Sequence, residues 1–325
     1  MHPAFSVLFL TTLIGTGQGL FLALYTGQCY SLASFLPEQS TEFYTFGSLL
    51  ALLLLLAGLL ASFFHLGRPE RAWRTAARWR SSWLSREVLL LPLVMALTAA
   101  FGLAHWLGYT QPWFTLGGWL RVDPTLTIGL AATLASFALF GCTAMVYAGV
   151  PFLREWRSTF TVVNFTLFGL SSGFLLATGF AAYSGNHLAA VYGGWWVVFT
   201  VLAMLSRLAS LYRNAHLKQK STTQSAIGVR HQFVVQKAQG ATGGSFNTRE
   251  FFHGRSEATL EWVRRSFVIL VFPVPILMIG TAYLTHSRTL AIVAFFIQYA
   301  GLLAERWYFF AEARHPQNLY YQSVA

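Results

Sequence analysis

The segment from Phe63 to Val88 holds the residues whose types and spacing could do chemistry. It separates two long apolar stretches, with His65 at the end of the first and Glu87 at the start of the second. Ionisable side chains inside a membrane segment are costly and mark functional sites by default. An imidazole titrates near neutral pH, and a neighbouring carboxylate can relay its proton. This pair therefore suits a quinone, a two-electron carrier that also needs an apolar slot for its tail.

Helix direction alternates along a membrane bundle, so the ends of spans two, four and eight share a depth with the starts of spans three, five and seven. We predict that Arg71 or Arg86 holds the loop by pairing with Glu70 or Glu87. The opposite level carries polar residues such as His105, which have the features of ordinary interface residues. The polar residues at the first level are His65, Arg68, Arg86, Glu87, Tyr147, Asn164, Glu305 and Arg306.

Glu305 lies inside the last span, where an unpaired carboxylate is expensive. We predict first that it forms a structural ion pair with Arg306 or with another helix. The second interpretation makes Glu305 and Arg306 part of a proton route.

The residues after His65 predict a sharp end to the second helix. Gly67 allows the chain to stop in the left-handed conformation, and Pro69 prevents the helix from resuming. In the alternative interpretation, His65 is only an interfacial residue that caps this helix. Trp73, Trp79 and Trp83 are predicted to anchor the segment among lipid headgroups.

Gln18 lies among Gly15, Gly17 and Gly19 in the first span. Small residues let helix backbones approach closely, so this cluster predicts helix packing. The alternative is a ligand that lies against the bare backbone and accepts a hydrogen bond from Gln18.

The composition predicts an all-α membrane protein with eight transmembrane helices. Of the residues, 55% are hydrophobic and only 10% are charged, and several apolar runs are long enough to cross a bilayer. The first run is too long for a cleavable signal peptide and lacks a basic n-region. The predicted spans are about 5–35, 44–66, 86–108, 124–149, 161–183, 189–211, 263–285 and 290–310.

The chain is predicted to be a single membrane domain over 1–325 with one large polar loop over 212–262. This loop, between the sixth and seventh helices, is either partly disordered or ordered by a partner. The loops on the other side are short, so a large partner must dock on the side of 212–262.

The net charge of +11 is explained by topology, and nucleic acid is not needed as a partner. Of the 22 Lys and Arg residues, 20 fall on the side of both termini and two, Arg121 and Arg288, fall on the other. The positive-inside rule places both termini and the Arg-rich loops in the cytoplasm.

The chain carries no signature of a redox centre of its own. No histidine lies in the middle of a span to ligate haem, and Cys29 and Cys142 sit in separate spans without paired spacing. We therefore predict no intrinsic haem, iron–sulfur cluster or other metal site. If the protein handles electrons, a subunit that bears cofactors must bring them to it.

Three stretches resemble the membrane anchor subunits of dimethyl sulfoxide reductase and related complex iron–sulfur molybdoenzymes, and the resemblance covers nearly the whole chain. They are HPAFSVLFLTTLIGTGQGLF, FFHLGRPERAWR with SSWLSREV, and AGLLAERWYFFAEARHPQNLYY. The resemblance implies an anchor that exchanges electrons with menaquinone or ubiquinone. It also implies a four-cluster iron–sulfur subunit and a molybdopterin catalytic subunit as partners. In this resemblance His65 matches the family histidine associated with quinol binding, and Glu87 matches an acidic residue that begins the third helix.

Orientation distinguishes the chain from dimethyl sulfoxide reductase anchors, whose partner-bearing side faces the periplasm. The charge bias here places that side in the cytoplasm, which is similar to sulfite dehydrogenase anchors. We therefore expect a non-catalytic subunit in the inner membrane that passes electrons to quinone during sulfite oxidation. One alternative is a quinol-oxidising anchor of a dimethyl sulfoxide, tetrathionate or similar reductase. A secondary transporter is the alternative of another class, although no paired helix interruptions point to one.

Overall fold

The computed structural model describes residues 5–117, 120–185, 187–218, 222–229, 231, 233–234 and 257–313. In this part of the chain eight helical segments are long and apolar enough to cross a membrane. The helices are α1 (Phe5–Leu32), α2 (Thr41–Phe63), α3 (Trp83–Trp106), α4 (Pro124–Ala148), α5 (Thr159–Tyr183), α6 (Leu188–Ala215), α7 (Thr223–Ile227), α8 (Glu257–Val271), α9 (Pro273–Thr285) and α10 (Arg288–Ala311), with a 3-10 helix at Pro69–Arg78. The prediction of an all-α architecture with eight spans is confirmed.

Side-chain caps determine where several of these helices begin, which hydropathy alone does not show. The Ser82 hydroxyl accepts a hydrogen bond from the amide of Ser85 at the start of α3. The Asp123 carboxylate accepts a hydrogen bond from the amide of Leu126 at the start of α4. A capped N-terminus satisfies amides that have no partner within the helix. Helix α3 therefore starts at Trp83, three residues before the predicted boundary.

The loop between α3 and α4 contains a short hairpin that the sequence analysis did not predict. Strands β1 (Phe114–Leu116) and β2 (Leu120–Val122) pair antiparallel, with Phe114 opposite Val122. Three-residue strands give too little alternation to be distinguished from a loop.

The prediction that α2 ends at a left-handed Gly67 is wrong. Gly67 is not among the residues with positive φ, so the helix does not stop in a left-handed glycine. It ends instead on the right-handed cap Phe64, whose amide donates to the carbonyls of Ala61 and Ser62. Pro69 starts the 3-10 helix that follows. The turn is thus closed by ordinary residues, and Gly67 is not required for its conformation.

The seventh span is broken at Phe272, between α8 and α9. Pro275 has no amide hydrogen, so the carbonyl of Val271, four residues earlier, lacks its usual helical donor. The side-chain amide of Gln298 on α10 donates to that carbonyl at 3.1 Å. A broken membrane helix is tolerated where a neighbouring helix satisfies its free backbone groups, and α10 does so here.

Helix α1 lies at the centre and packs against α2 and α5. At its crossing with α5, a Cβ added at Gly19 would collide with the carbonyl oxygen of Gly169 and would come within 3.0 Å of the Cα of Gly173. Only glycine on both helices allows this backbone approach. The packing interpretation of the glycine cluster is confirmed.

Part of the predicted loop over 212–262 falls within described elements. Helix α6 continues to Ala215, α7 occupies Thr223–Ile227, and α8 already begins at Glu257. The stretch over 235–256 lies outside the described residues. The single-domain assignment and the placement of this loop in the cytoplasm stay predictions.

Candidate functional site

His65 lies two residues beyond the end of α2 and is exposed. Partial burial lowers the pKa of His65 from its ordinary value of 6.5, and a hydrogen bond to the backbone of Ala61 opposes this effect. The imidazole is therefore predominantly neutral at pH 7, with one nitrogen able to donate and the other able to accept.

An open groove between α1 and α2 leads toward His65. Its volume is about 440 Å³, within the roughly 300–1,000 Å³ range of small-molecule sites. Most of its lining is apolar, and it ends at Phe64, the residue directly before His65. The lining residues are Ser6, Phe9, Leu13, Ala57, Leu60, Ala61 and Phe64.

Glu87 occupies the beginning of α3 and is half-buried. One of its oxygens accepts a hydrogen bond from the Thr143 hydroxyl of α4 at 2.7 Å. His65 and Glu87 belong to the same end of the bundle, and α2 packs against α3. No direct hydrogen bond or ion pair joins these two described residues, so any proton transfer between them requires a bridging group.

Arg86 holds the loop before α3, but through carbonyl groups rather than through Glu87. Its Nε donates to the carbonyl of Trp79 at 2.9 Å and a terminal nitrogen donates to that of Arg80 at 2.7 Å. Its guanidinium also lies 4.2 Å from the ring centroid of Trp83.

Arg71 pairs with Glu70 at 3.8 Å, and both side chains are more than half exposed. An exposed pair of this kind contributes about 0–1 kcal/mol. Arg71 therefore contributes little to holding the loop through this pair.

Tyr147 on α4 links Glu87 to the last helix. The Glu87 carboxylate and the Arg306 guanidinium both lie close enough to its hydroxyl to interact with it electrostatically. Its ring is enclosed by aromatic neighbours, which are Trp156, Phe165, Phe309 and Phe310.

Glu305 is held between two arginines in the interior of the bundle. Its Oε1 lies 2.8 Å from Nε of Arg207, and its Oε2 lies 3.0 Å from Nε of Arg306. Arg207 also reaches Glu312 at 3.5 Å, and Asn214 donates to Glu312 at 2.9 Å. All three members of the Arg207, Glu305 and Arg306 cluster are buried. The expected ion pair is present, with a second partner from α6.

Sequence reasoning missed Arg207 as a partner of Glu305 because it counted this residue with the loop charges. A signal was available, since Arg207 is the single charge within the run LAMLSRLASL, where a lone charge requires a partner.

Gln18 connects α1 to α4 in the interior. Its side-chain amide donates to the carbonyl of Ser136 at 2.9 Å, and the residue is fully buried. The donor is thus used in helix packing in this structure.

The sequence comparisons assign this architecture to a family. The family model described as the DMSO reductase anchor subunit (DmsC) matches residues 1–321. The chain belongs to this family. A sulfite dehydrogenase subunit of Allochromatium vinosum is 65% identical to this anchor subunit over 325 residues, which is 100% of each chain.

Membership identifies the protein as a multi-pass membrane anchor of a DMSO reductase-type oxidoreductase complex. Catalytic and electron-transfer partner subunits follow from that role. The expected resemblance is confirmed over nearly the whole chain.

At the opposite end of this anchor subunit, the prediction that His105 is an ordinary interface residue is wrong. His105 is buried, its ring stacks on Tyr44 with centroids 4.6 Å apart, and neither ring nitrogen has a hydrogen-bond partner among the described residues. Its position at the end of α3 predicted access to water, but α2 covers it.

Within the described part of the anchor subunit, no group of three or more His, Cys, Asp or Glu side chains is arranged to hold a metal ion. The absence of an intrinsic haem or iron–sulfur cluster stays a prediction.

Proposed function

We propose that this anchor subunit passes electrons from an iron–sulfur subunit to a membrane quinone, menaquinone or ubiquinone, during sulfite oxidation. The observation that carries the quinone assignment is the position of His65, an exposed titratable residue directly beyond an apolar groove between α1 and α2. The name of the 65% identical relative supports sulfite as the substrate of the complex. Sulfite itself reacts at the molybdopterin subunit, so this chain is the quinone-reacting, non-catalytic subunit.

The chemistry of the residues fits a quinone. The groove provides an apolar surface for an isoprenoid tail, and a quinone bound there takes up two electrons and two protons. His65, neutral at pH 7, donates a hydrogen bond from one ring nitrogen to a carbonyl oxygen, and it passes that proton to the reduced oxygen as its other ring nitrogen takes up a proton from water. Glu87 supplies the second protonic group, held in place by Thr143.

In this proposal, the other residues predicted for the site have supporting roles around His65 and Glu87. Arg86 orders the loop between His65 and Glu87, Arg71 adds a positive charge to that loop, and Tyr147 lies within electrostatic range of the Glu87 carboxylate. Gln18 joins α1 to α4, while Glu305 and Arg306 act as a structural cluster.

We also propose that both termini and the basic loops face the cytoplasm from the inner membrane. The 20 to 2 distribution of Lys and Arg between the two sides supports this orientation. The 3-10 helix Pro69–Arg78 has no buried residue, which leaves an Arg-rich surface to bind the four-cluster iron–sulfur subunit that carries electrons from the molybdopterin subunit.

Substitution of His65 tests the site. In the purified complex, His65→Ala should abolish quinone-dependent sulfite oxidation and leave dye-linked sulfite oxidation intact, because only the hydrogen bond to quinone is lost. His216→Ala is the matched control, since His216 is another exposed histidine after a helix of the same side. Unchanged quinone turnover in His65→Ala would remove this residue from the site.

Glu87→Gln tests the second proton step. It retains the Thr143 hydrogen bond but removes the titratable group, so quinone turnover should slow by about 10²-fold or more. Glu261→Gln, an exposed glutamate, is the control. Equal turnover in both variants would exclude Glu87 from proton transfer.

A reporter fused to the C-terminus tests the orientation. A fused fluorescent protein that folds only in the cytoplasm should be fluorescent. Alkaline phosphatase fused at the same place should be inactive. The reverse pattern would overturn the orientation and, with it, the argument for sulfite that rests on orientation.

The same donors bind quinone and quinol, and the family is named for a reductase, so the second candidate is a quinol-oxidising anchor. Sulfite-dependent quinone reduction and quinol-dependent dimethyl sulfoxide or tetrathionate reduction by one purified complex distinguish the two directions.

A further inference from the structure

A second groove lies between α6 and α8, away from the proposed quinone site. Helix α6 packs chiefly on α5, whereas α8 packs chiefly on α10. The groove between them has a volume of about 400 Å³. Its lining is apolar apart from two arginines, and consists of Leu208, Leu211, Arg264, Arg265, Val268 and Ile269.

The arginines lie nearer the helix end than the apolar lining. Along α8, Arg264 and Arg265 come one turn before Val268 and Ile269, on the side of the large loop. At 1.5 Å per residue, Arg264 lies roughly 10 Å from the first residue of α8. Trp262 on the same helix is 71% exposed, as is typical of a side chain at the membrane interface. This order along α8 is the one that a phospholipid requires, with the cationic groups toward the helix end and the apolar lining deeper in the span.

The charge at this end of the groove remains positive. Among the described side chains, Glu261 is the acidic partner of both arginines, at 3.7 Å from Arg264 and 2.5 Å from Arg265, and Arg264 also interacts with the hydroxyl of Tyr308. One carboxylate neutralises one of the two guanidinium charges, and each guanidinium has five N–H donors. Both side chains are also about half exposed or more, at 47% and 65%. Donors thus remain available for a second anion.

We propose that this groove binds an anionic glycerophospholipid, with its phosphate on Arg264 and Arg265 and one acyl chain along Leu208 and Ile269. Guanidinium groups bind phosphate oxygens by charge-assisted, bidentate hydrogen bonds. Basic pockets between membrane helices on the cytoplasmic side are suited to anionic lipid headgroups. The apolar part faces the hydrocarbon of the bilayer, where a water-soluble subunit does not reach.

The test measures lipid binding at this groove in the intact complex. The complex is reconstituted in nanodiscs with phosphatidylglycerol or phosphatidylethanolamine of the same acyl chains. A photoactivatable group on one chain labels adjacent residues, which are mapped by peptide mass spectrometry. Phosphatidylglycerol should label the peptides that contain Leu208 and Ile269, and phosphatidylethanolamine should label them several-fold less.

Three variants separate the contributions. Arg264→Gln with Arg265→Gln should reduce phosphatidylglycerol labelling, by about five-fold for each arginine, from ~1 kcal/mol per residue. Glu261→Gln should raise it, because both guanidinium groups are then free. Ile269→Trp fills the groove and should reduce labelling by both lipids. Arg157→Gln with Lys218→Gln is the control, because it removes two exposed charges from the same side of the protein but outside the groove.

Equal labelling by the two lipids, or unchanged labelling in the double arginine variant, would overturn the proposal. Loss of the iron–sulfur subunit from that variant with unchanged lipid labelling would also overturn it, and would assign the arginine pair to subunit docking. None of these results depends on quinone activity, so this proposal and the proposed function can fail separately.

Discussion

Removing the charge of Glu305 is expected to destabilise the anchor subunit strongly. Glu305 contacts Arg207 at 2.8 Å and Arg306 at 3.0 Å, and its side chain is 1% exposed. In Glu305→Gln, Arg306 loses its ion pair and Arg207 keeps only the longer contact with Glu312.

Breaking a buried pair by removing one partner costs about 3–5 kcal/mol, because the remaining charge stays uncompensated. Two arginines are affected here, which places the expected loss at the upper end of this range. The melting temperature should fall by roughly 2 °C for each kcal/mol in a chain of this size, or about 8–10 °C in total.

The assay uses the intact complex with a fluorescent protein fused to the C-terminus of this chain. Samples are solubilised in mild detergent, heated and centrifuged, and the fluorescence that remains soluble is measured against temperature. Glu261→Gln provides the control, because its pairs are exposed and contribute about 0–1 kcal/mol. Its midpoint should shift by less than about 2 °C.

A second variant tests the physical cause. Replacing the whole cluster by Arg207→Met, Glu305→Leu and Arg306→Met, with Glu312→Gln because Glu312 also pairs with Arg207, removes these charges together, and such replacements are often neutral or stabilising. This variant should regain much of the melting temperature that Glu305→Gln loses. If Glu305→Gln melts within about 2 °C of the wild type, the cluster is not a structural pair and the reasoning is refuted.

The other predictions use the same fusion assay or the quinone assay. Gly19→Ala should destabilise the protein by about 1–3 kcal/mol, because the new methyl group meets the backbone of Gly169. Gly141→Ala, where an added Cβ meets nothing within 4 Å, should leave stability unchanged or raise it, and equal effects would contradict the close crossing. His105→Phe should keep or raise the melting temperature, since it removes two buried ring nitrogens that have no hydrogen-bond partner in the described part of the chain; a clear fall would show that the imidazole has one. Because the pKa of His65 is lowered below 6.5, quinone turnover should change only as the pH falls below about 6.5 and His65 becomes protonated, and a change that begins above pH 7 would assign the dependence to another group.

The number and approximate position of the spans could be predicted because hydrocarbon length is a local requirement. Each bilayer crossing needs its own run of apolar residues, so the runs are visible one by one. The helix starts were less certain, since a single capping hydroxyl such as that of Ser82 decides them. Gly67 shows the limit of local rules: its residue type permits a left-handed stop, but the chain turns at Phe64 without it.

The sequence by itself determined that Glu305 needs a cation, because a bare carboxylate is too costly in a membrane interior. Only the tertiary structure decided that Arg207 of α6 shares it with Arg306, since ninety-eight positions separate this arginine from Glu305 along the chain. The same holds for Thr143 beside Glu87 and for α2 over His105. Residue type sets which groups require partners, whereas the packing of helices distant in sequence selects those partners.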